Sequence, residues 1–291
     1  MLRFLSGFAS AVVFVIASSM IMDRLSQLQA GIFYGGVGAG ILLTGVSVPL
    51  LAKTGDWIEV WKGLGLISLL LGLTAWYLLR DKDKHSGAKT AQSPRNEQTS
   101  GVRRILIWLT IAYGLEGLGY IVTGTYLVAY AKTVSSLPNI ASLSWILVGI
   151  AGAPSCILWS KLASQWGKKW TLTFSMILQS VGIAIPVLIH SSTAVFVGAF
   201  LFGATFMGIT MLTVSFAKDL YPQSNRKIIG LLTTFFGLGQ IIGPLIAGHL
   251  ISGNGSYLSA LIGAALIVLL GAVILPLGIG SADRKRLKLI R

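Results

Sequence analysis

Nine acidic side chains occur in this 291-residue chain, and eight of them fall in loops or near the ends of apolar runs. The ninth, Glu116, stands inside a long apolar segment, about eleven residues and roughly 16 Å from its start at about 1.5 Å of helical rise per residue. That is near the middle of a bilayer-spanning helix. An ionisable group at such a depth costs about 2.5 to 3.5 kcal/mol to insert, so it faces a cavity or a partner and marks function. Tyr113, Glu116, Tyr120 and Thr123 recur at helical spacing, so one helix face carries them all. The stripe holds a carboxyl between two phenols. Such a surface is suited to hydrogen-bonding a solute and, through the carboxyl, to taking up and releasing a proton. The competing reading is a Glu116 that is permanently protonated or hydrogen-bonded and pins helices together.

Other chemistry is sparse. Gln240, Thr205, Thr210 and Thr213 add polar groups to apolar runs, although isolated Thr and Gln in membrane helices commonly bond backbone or neighbouring helices. Arg3 is a possible counter-charge to Glu116, with interfacial snorkelling as the alternative. His85, His190 and His249 lie far apart in sequence, so no metal-ligand spacing appears and no metal or other cofactor is expected. Cys156 is the single cysteine. No phosphate loop of the Gly-x-x-x-x-Gly-Lys-Ser/Thr kind occurs, which argues against self-contained ATP-driven pumping and leaves an ion gradient as the energy source.

The elements that must position these residues are membrane helices. The chain is 54% hydrophobic and 11% charged, with a mean hydropathy of +0.79, against about 25% charged residues in soluble domains. A hydrocarbon core of about 30 Å needs roughly 20 apolar helical residues. Charge-free runs at 4–22, 25–52 and 63–79 give three spans. Residues 105–131, interrupted only by Glu116, and 133–160 give two more. The long runs 170–217 and 228–282 each split once, at His190-Ser191-Ser192 and at residues 252–256, completing nine.

The net charge of +14 is then topological, not a mark of nucleic-acid binding. With loops alternating between sides, 19 of the 23 basic residues fall on one side and four, Arg3, Lys53, Lys62 and Lys132, on the other. This asymmetry places the C-terminus in the cytoplasm and the N-terminus outside. The mixed-charge, Ser/Pro/Gln-rich stretch 80–104 reads as a flexible cytoplasmic linker. The expected organisation is therefore a three-helix unit 1–79, the linker, a six-helix unit 105–282 and a basic tail 283–291.

Six spans after a long basic loop resemble the second half of a major facilitator superfamily transporter, built from inverted three-helix repeats. Ser160-Lys-Leu-Ala-Ser-Gln-Trp-Gly-Lys-Lys169 resembles the superfamily's cytoplasmic motif Gly-x-Leu-Ala-Asp-Arg-x-Gly-Arg-Lys, matching at Leu162, Ala163, Gly167, Lys168 and Lys169. It departs at Ser160, Gln165 and Ser164, the last replacing the acid that in the family helps lock the cytoplasmic gate. Arg3 with Gly7 resembles the family's fourth-helix pattern. Gly239-x-x-x-Gly243-Pro244-x-x-Ala247-Gly248 resembles its glycine-proline gating helix, where glycines permit close contact and the proline a kink. Tyr113 through Leu127 (Tyr-Gly-Leu-Glu-Gly-Leu-Gly-Tyr-Ile-Val-Thr-Gly-Thr-Tyr-Leu) is similar to the seventh helix of the YbfB/YjiJ-like branch.

This resemblance implies an all-α polytopic fold whose nine spans correspond to helices four to twelve, the first three being absent through a truncated gene or misplaced start codon. It implies a secondary carrier working by alternating access in a bacterial inner membrane. Its partners would be the bilayer, a small solute and, if coupled, protons, with the seventh-helix stripe lining the cavity. Two rivals stand beside that reading. One is a truncated, non-transporting membrane protein or interaction partner. The other is a membrane enzyme, for which no clustered nucleophile or acid–base motif appears.

Overall fold

A computed structural model describes residues 2–53, 56–79, 100–134, 137, 139–222, 225–254 and 256–280. These form α1 (Leu2–Arg24), α2 (Gln27–Leu51), α3 (Trp57–Leu79), α4 (Ser100–Val134), α5 (Ile140–Trp166), α6 (Lys168–Ile189), α7 (Ser192–Leu220), α8 (Asn225–Asn254) and α9 (Leu258–Ile279). The expected all-α architecture is present, with no strand among the described residues. Helices α2 to α9 are each long and apolar enough to cross a membrane, and α1 carries a shorter apolar stretch, Leu5–Met20.

The helix ends depart from the ends of the apolar runs for local reasons. α3 begins at Trp57 because Glu59 and Lys62 pair across one turn at 2.8 Å, so charged residues that bounded the run still extend the helix. α4 starts at Ser100 and takes in residues 100–104 of the stretch expected as linker. Residues 80–99 and the tail 281–291 lie outside the described residues. Ser26 opens α2 with a reciprocal capping box to Gln29, and the Ser191 hydroxyl accepts from the Ala194 amide to open α7. One residue separates α5 from α6: Gly167, at φ 82°, a left-handed conformation that glycine adopts without a steric penalty.

α4–α9 close into a six-helix unit in which α4 lies against α8 and α9, α5 against α7, and α6 against α7 and α9. α7 is the innermost helix, buried continuously from Thr205 to Ala217. The first three helices join this unit mainly through α2, which runs along α5 in the most extensive helix pairing of the chain. That seam is made of small residues. A Cβ on Gly38 would run into the Ala153 amide, one on Gly149 into the Leu42 amide, and one on Gly31 would stand 3.0 Å from the Cys156 carbonyl oxygen. Lipid supplies no hydrophobic drive between helices, so such close backbone approach is what holds them by dispersion. α3 packs chiefly on α2 and turns Leu66, Leu70, Leu73, Trp76 and Tyr77 outward.

Many hydroxyls in the spans bond their own helix, as an apolar surrounding favours. Ser47, Thr74, Thr110 and Ser144 each donate a hydroxyl to the carbonyl four residues back.

Candidate functional site

At 3.6 residues per turn, Tyr113 and Tyr120 stand within about 20° of each other around α4, and Glu116 and Thr123 form a second row turned by about 60° from the first. The packing separates the two rows. The tyrosines meet α7 and α8, whereas Glu116 meets α6. The stripe expected as one cavity wall is thus split between two environments.

Glu116 has 0% of its surface exposed. It is held between α4 and α6, where the Gln179 Nε2 amide donates to its Oε1 at 3.2 Å. Gln179 is itself 0% exposed. The second oxygen of each group, Glu116 Oε2 and Gln179 Oε1, is buried without a hydrogen-bond partner. About two turns further along the same row, the Thr123 hydroxyl is also buried and unpartnered. The contact is made inside the six-helix unit.

The tyrosine row builds an aromatic cluster. Tyr113 stacks on Phe236 of α8 at 4.4 Å and 16°. Tyr120 lies parallel to Phe206 of α7 at 5.8 Å and 4°, with Phe202 at 5.8 Å and Phe236 at 5.7 Å. Phe202 and Phe206, one turn apart on α7, complete the set at 5.5 Å. Tyr120 and Phe236 are only half-buried, so the cluster keeps accessible ring surface. The Thr210 side chain stands beside the Tyr113 hydroxyl. At the packing of α1 and α2, the buried hydroxyls of Ser18 and Tyr34 stand beside each other, and Phe14 sits edge-on to Tyr34 at 6.2 Å.

The glycine helix behaves as its spacing requires. A Cβ on Gly239 would stand 2.7 Å from the Leu118 amide nitrogen, and one on Gly243 would stand 2.5 Å from the Leu118 carbonyl. This close approach carries Phe236 onto the tyrosines. Gln240 is half-buried on the same helix. Of the α7 threonines, Thr205 donates to Leu201 O at 2.7 Å and Thr210 to Phe206 O at 3.3 Å, while the Thr213 hydroxyl is buried and unpartnered. Arg3 belongs to α1, but its side chain lies outside the described residues.

The loop motif ends in an ion pair that its sequence does not disclose. Lys168 Nζ meets Asp219 Oδ2 of α7 at 2.6 Å and the Ser215 carbonyl at 3.1 Å. Lys169 lies over the Trp170 ring at 5.1 Å. Ala163 is buried and Leu162 half-buried. Ser164, in the place of the family's acid, bonds its own helix at Lys161 O.

Gln179, Phe202, Phe206, Phe236 and Asp219 were not among the residues singled out from sequence. Two signals were present: Gln179 is the lone amide of the run 170–217, and Phe202 and Phe206 stand at i, i+4. Partners on separate helices leave no trace in local spacing. Among the described residues no group of three or more His, Cys, Asp or Glu side chains gathers as a metal site would need.

The family model described as "Uncharacterised MFS-type transporter YbfB" matches residues 1–276. Azole resistance protein 1 of Saccharomyces cerevisiae is 26% identical over 49% of this chain and 23% of its own length. Tetracycline resistance protein, class H, of Pasteurella multocida is 22% identical over 94% of this chain and 69% of its own. Among solved structures, a bacterial homologue of the iron transporter ferroportin in its outward-facing state superposes with a TM-score of 0.66 at 20% identity. That superposition covers 91% of this chain and 68% of the other. The chain therefore spans less than a quarter of the first relative and about two thirds of the other two.

Proposed function

The chain belongs to the family of the MFS-type transporter YbfB, and from that premise we propose that it carries a small solute across a membrane by alternating access. The helices α1–α3 and α4–α9 form the two sides that rock about a shared site. The solute contacts the ring surface of Tyr120 and Phe236, backed by Phe202 and Phe206. This aromatic cluster on α4, α7 and α8 is the observation that carries the reading. Stacked rings favour planar apolar or cationic groups, a cation over a ring gaining about 0.5 to 2 kcal/mol according to its desolvation. The relatives support a carrier in place of an enzyme, since those that match are named as transporters or resistance proteins.

The coupling ion in this reading is the proton, taken by Glu116. The membrane is a bacterial inner membrane, with the basic loops and C-terminus facing the cytoplasm.

Flux into proteoliposomes, measured with a panel of lipophilic cations and neutral planar aromatics under an imposed pH gradient, tests the proposal. Tyr120→Ala is expected to raise KM for a transported probe about fivefold, from the loss of roughly 1 kcal/mol of ring contact. Glu116→Gln is expected to abolish the dependence of uptake on the pH gradient. Folded protein that moves no probe would favour a non-transporting membrane protein, and an unaltered KM in Tyr120→Ala would remove the aromatic cluster from the site.

A further inference from the structure

Two planar groups meet between α4 and α6, and their hydrogen-bonding capacities do not balance as they stand. The Gln179 amide donates one bond to Glu116 Oε1 at 3.2 Å, while Glu116 Oε2 and Gln179 Oε1, both buried, accept nothing. An ionised carboxyl has only acceptor oxygens, so the pair would then hold three acceptor oxygens against one engaged donor. It would also leave a negative charge in a dry interior, where an isolated ion is far costlier than a hydrogen-bonded neutral group.

Among the described residues no counter-charge reaches it. From α4 itself the titratable neighbours are Tyr113 and Tyr120, and from α6 the facing group is the neutral Gln179. The charged and titratable side chains of the other packed helices stand towards helix ends, as Lys161, Asp219, Arg226 and His249 do, and α9 carries none along Leu258–Ile279. One donor placed on Glu116 Oε2 and aimed at Gln179 Oε1 resolves the imbalance. It closes a ring of two hydrogen bonds of the kind a carboxylic acid makes with a carboxamide.

We infer that Glu116 and Gln179 together form a binding site for a single proton, shared as Oε2–H to Gln179 Oε1, that fastens α4 to α6. The atoms balance simply: the proton comes from water when the site closes, and leaves to water only when the two helices part enough to hydrate the carboxylate. Because the closed pair is the protonated form, its contribution to stability is present at low pH and is lost as the pH rises through the point where the proton leaves. The inference shares Glu116 with the coupling reading above and takes from it only the residue. It is read without flux, so a proton site in a chain that moves nothing, and the reverse, are told apart.

The test is infrared spectroscopy of the purified full-length chain in lipid nanodiscs. At neutral pH a protonated-carboxyl carbonyl band is expected that is missing in Glu116→Gln and moves to higher frequency in Gln179→Leu, where its acceptor is gone. Loss of carboxylate bands in Glu116→Gln, with no acid carbonyl band lost, overturns the inference. The wild-type protein supplies a readout that needs no variant to fold. Its melting temperature is expected to fall as the pH rises from the ordinary carboxyl range to the pH at which the acid band disappears, and a melting temperature that holds level or rises over that interval overturns the inference. Glu116→Gln can restore both hydrogen bonds as an amide–amide pair, so its melting temperature is expected to match the wild-type value at neutral pH and to lack that pH-dependent fall.

Discussion

Lys168 opens α6 directly after the Gly167 turn, yet its ammonium group is committed to α7 through Asp219 and the Ser215 carbonyl. Only 16% of the lysine side chain and 28% of the aspartate side chain is exposed, so the pair is screened less than a surface bridge. Removing one partner leaves a partly desolvated charge, whereas removing both relieves it. Asp219→Asn is expected to lower stability by about 1 to 3 kcal/mol, and Lys168→Met combined with Asp219→Leu by less than that single change. Thermal unfolding across the double-mutant cycle measures both. Residues of this kind mark the limit of reading by spacing. Glu116 was legible because a lone acid in an apolar run has few explanations, and Lys168 because a motif surrounds it. Gln179 and Asp219 acquire meaning only from helices 63 and 51 residues away in sequence, a distance that no periodicity encodes.

Among the elements, the α2–α5 crossing separates glycines that matter from glycines that do not. Gly38 has the Ala153 backbone against the place a Cβ would occupy, whereas Gly40, on the same helix, has nothing within 4 Å. Gly38→Leu is expected to cost about 1 to 3 kcal/mol through overpacking, and Gly40→Leu to leave the melting temperature unchanged, since it projects into open surroundings. A loss of the same size from both would show that the close contact with α5 does not set the effect, since leucine is the better helix former at either position. The helices themselves were legible from charge-free length, because lipid leaves few alternatives to a helix that satisfies its own backbone. Their ends were not. The Glu59–Lys62 pair and the Ser26–Gln29 box extend or start helices through side-chain bonding, and hydropathy does not register either.

Over the whole molecule, orientation rests on the charge bias of the loops, and Cys156 gives a direct way to check it. As the only cysteine, and a fully buried one, it is replaced by Ser to give a thiol-free background. A membrane-impermeant maleimide applied to intact cells is expected to label Gly253→Cys, exposed on the low-charge side. Ser164→Cys, beside the basic turn, is expected to react only after the membrane is opened. The reverse pattern would invert the topology. The all-α fold itself was foreseen from the charge-free runs. The division of the α4 stripe, with its carboxyl turned into the six-helix unit and its phenols toward α7 and α8, was not, because a helical wheel gives angles without saying which neighbour stands at each.

The seam between α2 and α5 has a mechanical side. Backbone lies against backbone there, at Gly31, Gly38 and Gly149, so at those points no long side chain is keyed into a socket on the opposing helix. Interlocked helices must withdraw knobs and change rotamers before they can turn, and each withdrawal is a barrier. Two smooth surfaces in contact can roll while losing and regaining dispersion contacts continuously. At those three crossings the pairing has no knob to withdraw, so turning one helix on the other is opposed there less than pulling the two apart.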